Sequence, residues 1–146
     1  MTTKDYLRQL SRKDARIEAM RERQRRYREL AQGSAARLRN VPGGGQRQVS
    51  SVEEYALRIV DLEREMDRRI DEYAALTLKI ETAIDRIEDG RLRDLLRWRY
   101  MNEWGWEKIA QALGYERRQA FRLHGKALEA FERANAEGGA GESRPA

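Results

Sequence analysis

The segment RLRDLLRWRYMNEWGWEKIAQALGYERRQAFRLHGKALEAF, Arg91 to Phe131, holds two apolar runs of helical period divided by one glycine. Ile109, Ala110 and Leu113 recur at helical spacing and stop at Gly114. Glycine ends a helix at little cost because it takes positive φ without a Cβ clash. A second run follows at once, Ala120, Leu123, Ala127 and Leu128, with Phe131 a turn further on. Ala110 and Ala120 are small at facing positions and would let the two helices cross closely. The pattern predicts a helix-turn-helix, the motif whose second helix enters the major groove of DNA.

The outer face of that second helix carries the candidate chemistry. Arg117, Arg118, Gln119 and Arg122 fall within its first two turns, and Lys126 lies a turn on. Arginine grips guanine O6 and N7 with two hydrogen bonds, and glutamine does the same for adenine. The expected roles are base edges for Arg117, Arg118, Gln119 and Arg122, and phosphate for Lys126 and for Lys108 on the preceding helix. The competing reading is a solvated basic face on an ordinary helical hairpin.

From Leu95 to Leu128 the chain resembles phage regulators of the ArpU/RinA type and, more distantly, region 4 of bacterial sigma factors. The matching residues are Leu96, Arg99, Tyr100, Trp106, Glu107, Ile109, Ala110, Leu113, Gly114 and Tyr115, continuing through Arg117, Phe121, Arg122, Leu123, His124, Gly125, Ala127 and Leu128. Three positions depart from the pattern: Gly105 and Glu116 stand where such proteins often carry a capping Ser or Thr, and Gly90 where a Pro is common. The resemblance implies a transcriptional regulator of phage or mobile-element genes, working on double-stranded DNA in the bacterial cytoplasm at the nucleoid. It also implies one of two mechanisms, binding an operator or promoter alone or contacting RNA polymerase as well, and for Arg99 either a pair with Glu107 that holds the first helix of the motif or a surface role.

Upstream, Thr3 to about Arg39 reads as one long helix with Tyr6, Leu10, Ile17, Met20, Tyr27, Leu30 and Leu38 on a seam that Lys13 and Gln24 interrupt. Within it RERQRRYRE, Arg21 to Glu29, places five arginines in nine residues. That run is either a phosphate-binding arm or a solvated face paired with acidic neighbours, and the second reading is preferred. Asn40 to Ser50, NVPGGGQRQVS, predicts a flexible loop. Ser50 or Ser51 with Glu53 or Glu54 then predicts a capping box. The next stripe, from Val52 and Tyr55 through Met66 and Ile80 to Ile87, repeats about every 3.5 residues, the period of a left-handed coiled coil. Residues 1–50 carry 13 basic and 5 acidic side chains, residues 51–89 carry 6 and 12, and residues 90–146 carry 11 and 8. The opposite excesses of the first two segments predict an antiparallel pairing of the long helices, with pairing between two chains, a homodimer, left open. After Asp89, Leu92, Leu95, Leu96 and Tyr100 predict a short helix behind the motif, with Asp89 as its cap.

The expected fold is therefore all-α: a long, coiled-coil-like hairpin over 1–89 with a Gly-rich loop at 40–50, a three-helix helix-turn-helix domain over 90–135, and a disordered tail over 136–146. With no cysteine and a single histidine, His124, the chain has no Cys-based zinc site, thiolate catalysis or Ser/His/Asp arrangement. His124 is expected to bond backbone or phosphate. Trp106 is assigned to the core, and Trp98 or Trp104 to a joint or a partner surface. The carboxylates suggest no cleft for acid–base chemistry. No enzyme, cofactor, metal, small-molecule substrate or membrane span is expected, and the N-terminus lacks the apolar core of a signal peptide. The alternative functions are DNA packaging of the small-terminase kind and a helical protein-interaction scaffold.

Overall fold

A computed structural model describes the backbone over 1–40 and 45–142, and side chains over 1–37 and 51–136. It is all-α, with five helices and no strand among the described residues: α1 (Thr3–Asn40), α2 (Gly45–Asp85), α3 (Gly90–Leu96), α4 (Trp106–Leu113) and α5 (Arg117–Glu142). Thr2 opens α1, its Oγ1 accepting from the Asp5 N–H at 3.1 Å. The expected loop at 40–50 lies partly outside the described residues (41–44), and its remainder is helical, α2 beginning at Gly45. Gln46 to Ser51 contains no Gly or Pro, so nothing local stops the helix from running back past the Ser50/Ser51 capping box. At the other end α5 continues to Glu142, beyond Asn135, where order was expected to cease. Once a helix is nucleated, each added residue contributes its own hydrogen bond. Residues 143–146 lie outside the described residues.

Two compact units divide the chain. One is Lys13–Glu72, made of the inner stretches of α1 and α2. Ile17, Met20 and Met66 are buried in it, and so is Gln24, a polar side chain on the seam. Lys13 Nζ lies 3.7 Å from a Glu72 carboxylate oxygen, and the Tyr27 and Tyr55 rings stack at 5.9 Å. Later residues of α1 thus meet earlier residues of α2. The arginine run is paired along its own helix, Arg21 with Glu18, Arg25 with Glu22 and Arg26 with Glu29. On α2, Arg58 pairs with Glu54, and Arg68 and Arg69 with Glu65. The expected attraction of opposite excesses across the seam is thus mostly spent within each helix, because partners three or four residues apart are already adjacent.

The other unit joins Met1–Arg12 to the chain from Tyr73 onward. Its core gathers Leu7 and Leu10 of α1, Ile80, Ile84 and Ile87 at the end of α2 and beyond it, Leu92, Leu95 and Leu96 of α3, Ile109 of α4, and Ala120, Ala127 and Phe131 of α5. Each fully buried Leu or Ile contributes about 1.5–3 kcal/mol by leaving water. Polar ties close the edges. Asp89 caps α3, its Oδ1 accepting from the Arg91 N–H at 2.9 Å, and Arg93 Nη1 donates to the carbonyls of Ile87 and Glu88 at 2.6 and 3.0 Å. Asn135 Nδ2 donates to the Ala83 and Phe131 carbonyls at 3.2 and 2.8 Å, and Arg86 donates to its Oδ1 at 3.0 Å.

After Leu96 the helix does not simply end. Arg97–Met101 widens into a π-type turn, closed by the Asn102 N–H donating to the Arg97 carbonyl at 3.0 Å. Glu103 then takes φ 57°, the left-handed region that non-glycine residues seldom occupy. This detour lets the Trp104 N–H bond the Trp98 carbonyl at 2.9 Å while the two indoles stack at 5.2 Å.

Candidate nucleic-acid interface

The corner between α4 and α5 is built by its capping residues. Gly105 precedes α4 with no side chain to cap it, and Gly114 follows it at φ 73°. The Tyr115 N–H donates to the Ala110 carbonyl at 2.9 Å and the Gly114 N–H to the Gln111 carbonyl at 3.2 Å. Those crossed bonds satisfy carbonyls that the helix end would otherwise strand, and they set the direction in which the chain leaves. At the start of α5 Gln119 Oε1 accepts from the Glu116 N–H at 3.2 Å. It is the back-reaching half of a capping box, made by the third residue of the helix instead of by a Ser or Thr before it.

Ala120, His124, Ala127 and Phe131 form the buried side of α5, and Ala110 is buried opposite on α4. That fixes which side faces out. Arg117, Arg118, Gln119, Arg122 and Lys126 are all exposed there. The four cations fall into two adjacent rows at four-residue spacing, Arg117–Phe121–Gly125 and Arg118–Arg122–Lys126. Among the described residues Arg117, Arg118, Arg122 and Lys126 make no ion pair. Lys108 sits on α4, exposed, its Nζ 4.2 Å from the centroid of the Trp104 ring. Gln119 has its Oε1 engaged in the cap and keeps Nε2 as a free donor, so a two-bond grip on adenine would require releasing the cap.

Behind this face, two expectations change, for His124 and Arg99, while Trp106 packs against the core. His124 is buried, and its Nε2 lies 2.6 Å from the Tyr100 hydroxyl, so it serves the core and not a phosphate. Loss of hydration, with Lys4, Arg99 and Arg8 nearby, lowers its pKa from 6.5 to about 4, and burial raises that of Tyr100. The imidazole is therefore neutral at pH 7 and shares a single hydrogen bond with the Tyr100 hydroxyl, its direction set by the tautomer. Arg99 does not reach Glu107: it donates to the Trp104 carbonyl at 3.0 Å and lies 4.7 Å over the Trp106 ring. The guanidinium satisfies the carbonyl of a loop residue that follows the π-type turn, which sequence spacing gives no means to foresee. Trp106 itself is half-buried, in edge contact with His124 at 4.7 Å and with Phe121 at 5.4 Å.

Phe121 is the residue of this face to which sequence reading gave no role. It is 57% exposed, and with Trp106, Arg117, Arg118 and Arg122 it lines a shallow concavity. The signal was present: Phe121 falls out of phase with the buried series Ala120, His124, Ala127 and Phe131 and in phase with Arg117. Among the described residues no His, Asp and Glu converge as a metal-ligand group, and no helix is long and apolar enough to cross a membrane. No family model, curated protein or solved structure matches the chain.

Proposed function

We propose that the chain is a sequence-specific, double-stranded DNA-binding transcriptional regulator of phage or mobile-element genes. In this reading α4 and α5 are a helix-turn-helix with α3 as its third helix, and α5 lies in the major groove. The long helices form an antiparallel hairpin, supported by the Lys13–Glu72 and Tyr27–Tyr55 contacts. The observation that carries the reading is the exposed face of α5, where Arg117, Arg118, Arg122 and Lys126 stand without carboxylate partners among the described residues while the opposite face is locked into a core. Four cations on one short helical face match a polyanion, and arginine at groove level matches base edges. RNA polymerase is the protein partner that the sigma-like sequence of this region suggests.

Duplexes enriched from randomised DNA, bound over a range of salt, test this directly. Each phosphate neutralised adds about 0.9 to the slope of log K against log salt. Lys108 and Lys126 as phosphate contacts therefore predict a decline with a slope of about two, with a recurring motif among the enriched sequences. Binding that is insensitive to salt, or enrichment of no motif, refutes the reading. Mass in solution separates it from the packaging alternative: a monomer or dimer fits regulation, a ring of many subunits does not.

A further inference from the structure

We infer that Phe121 is a specificity-determining residue that reads the C5-methyl group of a thymine; the inference rests on the DNA-binding reading above. Three features of the structure lead to it. A benzyl side chain 57% exposed at the start of a helix costs solvation that a polar residue would not. Its ring is nevertheless held, edge-on to Trp106 at 5.4 Å and 70°, and Trp106 is itself covered by the Arg99 guanidinium at 4.7 Å. Arg117, Arg118 and Arg122 border it without ion-pair partners among the described residues, so the apolar spot lies inside a cationic field.

The surroundings narrow what such a spot takes. In a base-paired duplex the ring faces are stacked and closed, and the floor of the major groove offers one apolar group, the thymine methyl. Gly125, one turn on in the same row as Phe121, leaves that row without a side chain. A Cβ there would meet nothing within 4 Å, so the fold itself gives no reason for glycine inside this helix. Without a side chain at Gly125 a base-pair edge can come close beside Phe121. An acidic, apolar peptide is the competing occupant of a cationic aromatic patch, and the experiment below separates it.

The probe is the duplex enriched from randomised DNA, with each thymine in turn replaced by deoxyuridine, which removes the methyl and keeps the pairing. Wild-type protein should bind about fourfold more weakly at one position, the ~0.8 kcal/mol of a buried methyl-sized group, and about equally at the others. In Phe121→Ala that difference should vanish while the salt slope stays; Phe121→Leu, which keeps an apolar side chain against Trp106, should retain most of it. Thermal melts and binding to unrelated DNA report whether the variants are folded. Motif-specific binding with no thymine-to-deoxyuridine effect, or an effect that survives in Phe121→Ala, overturns this inference and leaves the DNA-binding reading standing. Failure of any salt-dependent duplex binding removes both, and would direct the patch to a peptide.

Discussion

Lowering the pH from 7 to 5 should destabilise this protein through one side chain. His124 is 5% exposed, bonded to Tyr100, with its pKa lowered to about 4 from the usual 6.5. The unfolded chain therefore takes up the imidazole proton at a higher pH than the folded chain does. The contribution is complete above about pH 6.5 and is lost progressively as pH falls toward 4, reaching about 3 kcal/mol across the whole interval and about 2 kcal/mol by pH 5. The window is unusually clean because the chain has one histidine. Asp5 and Asp89, held down by hydrogen bonds from Thr2 and Arg91, and Glu65, held down by Arg68, titrate below the ordinary carboxylate range. Urea unfolding at pH 7, 6 and 5 gives the slope, and His124→Gln supplies the control, since an amide can pair with the Tyr100 hydroxyl in either direction and does not titrate here. A wild-type stability that is flat between pH 7 and 5 would refute the assignment. So would an unchanged slope in His124→Gln.

Three further outcomes follow from the packing. Arg118→Ala and Arg122→Ala should each cost about 1–3 kcal/mol on the enriched duplex and relax one base pair, whereas Lys126→Ala should weaken all sequences alike and lower the salt slope by about one; competition binding with mutated duplexes distinguishes these. Gly125→Ala should raise stability by about 0.5–1 kcal/mol, because the added methyl meets nothing and the helix loses less entropy on folding. Its affinity for the duplex should fall, so melting temperature and binding move in opposite directions. Gln24→Leu should stabilise the Lys13–Glu72 unit by about 1 kcal/mol, since it removes a buried amide from an apolar seam, and the midpoint of urea unfolding measures it.

The legible parts of the fold were those with local causes. Gly114 marked the end of α4 because the turn needs positive φ, and Asp89 marked the start of α3 because a carboxylate there meets a free N–H. Leu92, Leu95, Leu96 and Tyr100 are buried as their spacing implied. Long-range placement was not legible. Leu10 was on the α1 seam, but a seam residue looks the same whatever it packs against, and the sequence did not disclose that Leu7 and Leu10 enter one core with Leu95 and Phe131. The π-type turn was hidden too, because RWRYM satisfies an ordinary helical pattern and the Trp98–Trp104 contact that accompanies the widening is not legible from spacing. For the candidate site, exposure of the basic residues followed from the phase of the alanines. The engagement of Gln119 in a cap and the burial of His124 depended on neighbours that the sequence does not order in space.

The chain carries two basic helical faces, and their difference bears on function. In Arg21–Glu29 and just before it, glutamates stand three residues from arginines and pair with them, as expected where positive charge only solvates a helix. From Arg117 to Lys126 there is no acidic residue at all. Arg118 and Arg122, and Arg122 and Lys126, are like charges at four-residue spacing, each pair destabilising by about 0.2–0.5 kcal/mol. Arg117 and Arg118 also occupy the first turn of α5, where the helix dipole favours anions, at a cost of several tenths of a kcal/mol each. Glu107 shows the opposite arrangement in the first turn of α4, with the dipole satisfied. Glu116 stands only before that first turn, within which a sequence tuned for the fold alone would have an acidic residue. Its absence leaves an electrostatic cost that the free protein bears and a bound polyanion would relieve, its phosphates meeting both the guanidinium groups and the free N–H groups of the same turn. Gln119→Glu tests that balance: it keeps the cap, places an anion in the first turn and should stabilise the free protein by about 0.3–1 kcal/mol, yet it should weaken duplex binding at every sequence. If it stabilised the protein and left binding unchanged, the positive face of α5 would have to be read as a solvated surface like that of α1.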